Sequence, residues 1–307
     1  MKISVIGAGG VGGYFGARLA KAGHQVQFLA RGEHMRAMRE RGLRIKSEVE
    51  SFTIDKPSVT DDAAQLDHAD VMLVATKLWD LAATGRQIAR AVGPRTVVIP
   101  FQNGVDAVDL LAESIAPERV AAGVAYIAAV IGEPGTIVHT GTMSRLRVGA
   151  LHPGQHDTLK QFVDAGTAAG FGMELVDDPN RMLWEKFIAL NALSALTAVT
   201  RQPLGVIRSD PDMRTVLEAT FREAIALAAR SGVNLPAEFE ANSFKFLDTL
   251  PESMRASMAH DLNAGRRLEA PWLCGAVVRR AAKVGLPVPV NATIWAALKP
   301  FAEGQPA

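Results

Sequence analysis

Apolar and polar positions recur along this chain with a period that changes from region to region, and the changes mark its elements. Residues 2–6 form a short apolar run ending in glycines, and residues 11–22 then place Tyr14, Phe15, Ala17 and Leu19 at helical spacing. A second apolar run at 25–30 precedes a polar helix at 33–41, and residues 43–54 alternate as a hairpin does. Buried-strand runs at 71–75 and 96–100 are each followed by a helical segment. Strands alternating with helices predict an α/β fold, a Rossmann-type parallel sheet covered on both faces.

The pattern then shifts. Residues 120–148 are β-rich and broken by Gly132, Pro134 and Gly141, which predicts turns between hairpin strands joined to the sheet edge. A helix at 157–169 and a last strand at 173–176 follow. After Pro179 only helical patterns remain, at 182–199, 212–229, 236–247, 251–264 and 271–283, with Gly232 and Gly285 placed as C-caps. The expectation is a Rossmann-type domain over residues 1–178 and an all-helical domain over 179–307. A length of 307 residues suits about two domains.

Composition narrows the function. The net charge of +1 offers no electrostatic footprint for nucleic acid or an anionic membrane. The basic residues from Arg36 to Arg44 are offset by Glu33 and Glu40, which describes a solvated helix face. A single cysteine, Cys274, makes no intrachain disulfide and fits a reducing compartment; its apolar neighbours predict a core position, not a nucleophile. The N-terminal MKISVIG runs straight into a strand pattern, unlike a signal peptide. The longest apolar run, 121–131, falls short of the ~20 residues that span a bilayer. A cytoplasmic protein is the expectation, with a helical half apolar enough to support a homodimer. The seven histidines are scattered, no two at metal-ligand spacing on one helix face, so no metal site is expected.

The sharpest motif is Gly7-Ala8-Gly9-Gly10-Val11-Gly12, a G-x-G-x-x-G between a strand and a helix. Glycines let the backbone turn tightly and approach a pyrophosphate, to which the helix N-terminus offers N–H groups and a positive dipole end. The pattern is weak alone; its place after the first strand and before an amphipathic helix makes it specific for a dinucleotide. An NAD site puts an acid at the end of the second strand, ~20 residues on. Here that strand ends Phe28-Leu29-Ala30-Arg31, and a guanidinium suits the 2′-phosphate of NADP. The competing reading makes Arg31 a surface residue and gives the acid's role to Glu33.

Hydride transfer to a ketone leaves negative charge on oxygen, so the reacting end needs a proton donor or a fixed cation. Lys77 directly follows the strand at 71–75, at the end where ligands bind in open α/β sheets. Lys186 lies within the apolar helix at 182–199, where a lone lysine usually snorkels to water. Asn103, in Gln102-Asn103-Gly104, is equally a turn residue by its context. Spacing leaves all three open.

With these residues in place the chain resembles the ketopantoate reductases (2-dehydropantoate 2-reductases) over nearly its whole length. The resemblance is carried by GAGGVGG, Leu29-Ala30-Arg31, Thr76-Lys77, Gln102-Asn103-Gly104 and Trp184-Glu185-Lys186. Ser257-Met258 with Asp261, Gly265-Arg266-Arg267 and Glu269 complete it. It implies NADPH-dependent reduction of a small 2-oxo acid, ketopantoate to pantoate in pantothenate biosynthesis. It further implies Lys186 as general acid, Glu269 as anchor of the substrate hydroxyl, Ser257 as a substrate contact, and Lys77 and Asn103 at the ribose and nicotinamide side.

The chain departs from the pattern in its substrate half. Pantoate-forming members usually carry asparagines four and eight residues after the lysine; here Leu190 and Ser194 occupy that helix stripe. Asn191 is about 100° round the helix and no simple substitute. Ala270 and Pro271 stand where an aspartate commonly follows the glutamate. These changes motivate a second reading, a paralogous reductase of another, more apolar 2-oxo acid or ketone. A third, a non-catalytic NADP sensor, needs only the cofactor half.

Overall fold

The computed structural model describes residues 1–304, which fold into two compact units. The first comprises Met1–Gln102 and Asp106–Met182, the second Asn103–Val105 and Leu183 onward.

In the first unit, β1 (Lys2–Ile6), β2 (Gln25–Leu29), β5 (Ser58–Thr60), β6 (Val71–Val74) and β7 (Val97–Pro100) form an all-parallel sheet in the order β5-β2-β1-β6-β7. Strands β6 and β7 are buried at every residue, as apolar runs covered on both faces must be. The helices α1 (Gly10–Lys21), α2 (Gly32–Arg41) and α3 (Leu81–Ile88) lie in the connections between them, and α4 (Ala107–Ala112) follows β7. Phe15 and Leu19 of α1 pack with Val5, Phe28 and Leu73 in one core.

The expected hairpins are present, but their place differs from expectation. Strands β3 (Leu43–Ser47) and β4 (Phe52–Ile54) pair antiparallel, as do β8 (Ala122–Ile131) and β9 (Thr136–Gly149). They build a second five-stranded sheet with β10 (Gly172–Leu175), ordered β10-β9-β3-β4 with β8 on β9. An isolated bridge between Val98 and Val120 links the parallel sheet to this one. Gly141 marks no turn: the register of β8 and β9 shifts between Ile127 and Ala129, opposite the stretch holding Gly141 at φ +73°. Helix α5 (His156–Ala168) precedes β10.

All the regular elements among the described residues of the second unit are helices. Helix α6 (Pro179–Val199), assigned to it from Leu183 on, is apolar on all sides and forms its centre. By length and composition α6 could cross a membrane, a feature the apolar-run reading missed; its most apolar window is 67% buried, as a core helix is. Around it lie α7 (Leu204–Ser209), α8 (Pro211–Arg230), α9 (Phe239–Thr249), α10 (Ser257–Asn263), α11 (Cys274–Lys283) and α12 (Pro289–Leu298). Asp210 caps α8 by accepting from the Met213 N–H, with Pro211 at the first helical position.

Three differences from the sequence pattern have local causes. Helix α10 begins only at Ser257 because residues before it are used otherwise: the carbonyls of Glu252 and Met254 accept from the first N–H groups of α7. The helix expected at 271–283 starts at Cys274, after a 3₁₀ turn at Ala270–Trp272 and an irregular Leu273 (φ −108°, ψ −104°). Helix α7, like β5, is short and escaped the periodicity, and α12 escaped it because its residues are apolar with few polar positions between them.

Candidate active site

The loop Gly7–Gly9 joins β1 to α1, whose first turn carries Gly10, Val11 and Gly12 of the motif. Gly7 takes φ +95°, and a Cβ there would lie 2.9 Å from the Thr76 backbone nitrogen, so only glycine suits the turn. Gly9 caps α1 with no side-chain hydrogen bond, and no acid stands in the first turn. The N–H groups and dipole of a 12-residue helix therefore face their ligand side without a protein anion. A Cβ on Gly9 would meet nothing within 4 Å, whereas one on Gly10 would lie 2.0 Å from the Ala129 carbonyl oxygen of β8. The loop and the helix start are thus packed on the protein side and open at Gly9.

Two cations flank this loop, because β2 and β6 flank β1 in the sheet. Arg31 caps α2 just beyond β2, with its side chain 84% exposed and a 2.8 Å bond from Nη2 to Asp80 Oδ2. Lys77 follows β6 and caps the 3₁₀ turn Leu78–Asp80, its Nζ 5.5 Å from the centroid of the Trp79 ring. Gln102 closes the same strand end, donating to the carbonyls of Val74 (3.1 Å) and Thr76 (2.9 Å). Asp80 was not legible as a site residue, since 49 positions separate it from Arg31 and only the parallel sheet brings them together.

In the helical unit, Lys186, Asn103 and Glu269 meet. Lys186 Nζ donates to Asn103 Oδ1 (3.0 Å), and Asn103 Nδ2 donates to Glu269 Oε2 (3.1 Å). The amide thus relays between cation and carboxylate with both its ends in use. Gly104, at φ +100°, turns the chain next to this amide where a Cβ would lie 2.9 Å from the Trp272 carbonyl oxygen. Burial pushes the Lys186 ammonium down to about 8, against the opposing charge of Glu269. Glu269 itself is 7% exposed. An ammonium with a pKa lowered in this way releases its proton more readily than an exposed lysine does.

The other expected residues lie elsewhere in this unit. Ser194 is buried on α6 two turns beyond Lys186, and Ser257 opens α10 and is exposed. The Ala256 N–H donates to Thr197 Oγ1 (3.4 Å), which sets the start of α10 against α6. Leu190, partly buried, packs on the helical core. Asn191 is fully buried and donates to Asn291 Oδ1 (2.8 Å), so it points into the core and does not stand in for a polar group at 190. Cys274 is buried with its thiol pushed up to about 12 by desolvation, which leaves it inert.

The parallel sheet with its glycine turn at the first strand–helix junction defines the class by fold, a protein of the Rossmann type. Residues 3–153 match the family model described as ketopantoate reductase PanE/ApbA, and residues 178–302 match its C-terminal counterpart. The chain belongs to the ketopantoate reductase family. A 2-dehydropantoate 2-reductase of Halobacterium salinarum is 31% identical over 301 residues, covering 96% of each chain. YkpB of Bacillus subtilis (strain 168), an oxidoreductase of uncharacterised activity, is 26% identical over 98% of this chain and 99% of its own. The crystal structure of a PanE/ApbA family ketopantoate reductase from Ralstonia eutropha JMP134 superposes with a TM-score of 0.89 at 31% identity, covering 98% of both. D-mandelate dehydrogenase, solved with NADH and anilino(oxo)acetate, has a TM-score of 0.90 at 20% identity, a likeness of fold alone.

Proposed function

We propose that the protein reduces 2-dehydropantoate (ketopantoate) to pantoate with NADPH, a step of pantothenate biosynthesis, in the cytoplasm. The observation that carries this reading is the Lys186–Asn103–Glu269 relay, together with family membership. The glycine loop 7–9 and the first turn of α1 at 10–12 would hold the pyrophosphate, Arg31 the 2′-phosphate and Lys77 the ribose side. The dinucleotide supplies the hydride. Lys186 polarises the substrate carbonyl and gives its proton to the oxygen as the alcohol forms. Glu269 anchors the substrate hydroxyl and holds Asn103, which in turn aims the ammonium. Ser257 and Ser194 complete the substrate contacts in this reading.

The test is NADPH oxidation by the purified protein with ketopantoate, beside a panel of 2-oxo acids and an NADH control. Efficient ketopantoate turnover with NADPH supports the reading; turnover confined to another 2-oxo acid replaces the substrate. One observation favours that second outcome. Leu190, one helical turn beyond Lys186, makes the stripe apolar where a hydroxylated substrate gains from a polar partner. If an apolar 2-oxo acid is preferred, Leu190→Asn should shift the preference toward ketopantoate.

A further inference from the structure

His34 lies on the first turn of α2, three residues after Arg31, and no mechanism above uses it. Its ring makes two hydrogen bonds, both to backbone. The Gly135 N–H, in the turn between β8 and β9, donates to Nδ1 at 3.0 Å. On the opposite side of the ring, Nε2 lies 2.9 Å from the carbonyl oxygen of Ala8, inside the glycine loop. A backbone N–H can only donate, so Nδ1 is an acceptor and the single ring proton sits on Nε2, directed at Ala8. Burial lowers the His34 pKa, which favours this neutral ring.

Both partners are themselves held. Gly135 takes φ +85°, a Cβ on it would lie 3.1 Å from the Ala37 Cβ of α2, and its carbonyl accepts from the Arg44 N–H (2.9 Å). Ala8 is 3% exposed. The imidazole therefore ties α2, which carries Arg31, to the glycine loop, and ties both to the second sheet.

We infer that His34 is a positioning residue for the dinucleotide: it fixes the Ala8 peptide, and with it the direction of the loop N–H groups, through a neutral-imidazole bridge to Gly135. This deepens the cofactor reading above and rests on it. His34 touches no cofactor atom in this role. It acts on the pyrophosphate-binding backbone that NADPH and NADH share, in contrast to Arg31, whose effect is confined to the 2′-phosphate.

The experiment is a fluorescence titration of NADPH and NADH against wild type, His34→Phe and His34→Gln. Phenylalanine keeps a ring without hydrogen bonds; glutamine keeps a donor and an acceptor. His34→Phe should weaken both dinucleotides by the same factor, about tenfold, a loss of about 1.4 kcal/mol. His34→Gln should recover more than half of that loss on a logarithmic scale, with kcat at saturating NADPH within about twofold of wild type. Unchanged affinity in His34→Phe, or equal losses in the two variants, overturns the inference. Wild type that binds neither dinucleotide overturns the cofactor reading instead. Hydrogen exchange on wild type supplies the second measurement, should the phenylalanine variant not fold. Coupling is reciprocal, so NADPH should slow exchange in the peptide containing Gly135 as well as in the glycine loop. Protection of the loop alone overturns the inference.

Discussion

An exposed lysine is a weak proton donor at neutral pH because its pKa lies near ~10.4. Lys186 is pushed down to about 8 by burial, with Glu269 opposing the shift. The proposed proton transfer uses the ammonium form, so kcat/KM for the 2-oxo acid should hold below pH 8 and fall above it, which a pH–rate profile checks. The linked stability has the opposite sense. With the folded value below the unfolded one, charge on Lys186 costs folding at neutral pH, and the cost is relieved as pH rises through the interval from about 8 to 10.5. Lys186→Ala should lower kcat by about 10²–10⁴-fold while NADPH affinity stays within about twofold. Arg31 and Asp80 give a second pair of outcomes at this scale. Arg31→Ala should weaken NADPH by about tenfold or more and NADH hardly at all. Asp80→Asn releases Arg31 from a 2.8 Å ion pair that would compete with the proposed 2′-phosphate contact, so it should tighten NADPH modestly. The gain should be about two- to fivefold, within what an exposed pair is worth, and should shrink as salt is added.

The element that matters most is the β1–α1 junction, where adjacent glycines serve different ends. Gly10 faces β8, and an added Cβ would stand 2.0 Å from a backbone oxygen, which nothing flexible can relieve. Gly10→Ala should therefore destabilise the protein by roughly 1–3 kcal/mol or more, seen as a lowered Tm. Gly9→Ala has open space around its Cβ. It should keep the wild-type Tm within a degree or two and still lose NADPH affinity by about tenfold or more, because the methyl occupies the approach to the helix N-terminus. Thermal unfolding beside NADPH titration separates the two; a Gly9→Ala protein that binds normally would remove the pyrophosphate from this loop. The helical unit shows the same economy at α6, whose 21 residues hold Lys186 and the core that buries it on one rod.

Across the whole molecule, each unit has an apolar core of its own. Ligand binding to one unit should therefore stabilise that unit first. NADPH at about one hundred times its Kd adds about 2.7 kcal/mol to the state that binds it. Hydrogen exchange should register this as protection concentrated in Met1–Met182, with the helices after Leu183 less affected; uniform protection would argue for one cooperative unit.

The alternation of apolar strands and helices up to residue 100, the glycine turn and the helical periodicity after Pro179 determined the α/β class with a helical C-terminal half. These signals are local, set by the 2.0 and 3.6 periods and by backbone freedom at a few glycines. The ordered motifs from GAGGVGG to Glu269 likewise determined the family. The short β5 and α7 were not legible, nor was α12, whose ten residues are too uniformly apolar to show a helical period. Nor was the second sheet, because a strand's alternation says which face is buried and nothing about which sheet it joins. Only the tertiary structure decided which groups meet. Asn103 and Glu269 stand 166 positions apart and share a hydrogen bond. His34 reaches Ala8 and Gly135 across 26 and 101 positions, and Arg31 finds Asp80 across 49. Such pairings follow from the order of strands and the packing of helices, and no spacing along the chain encodes them.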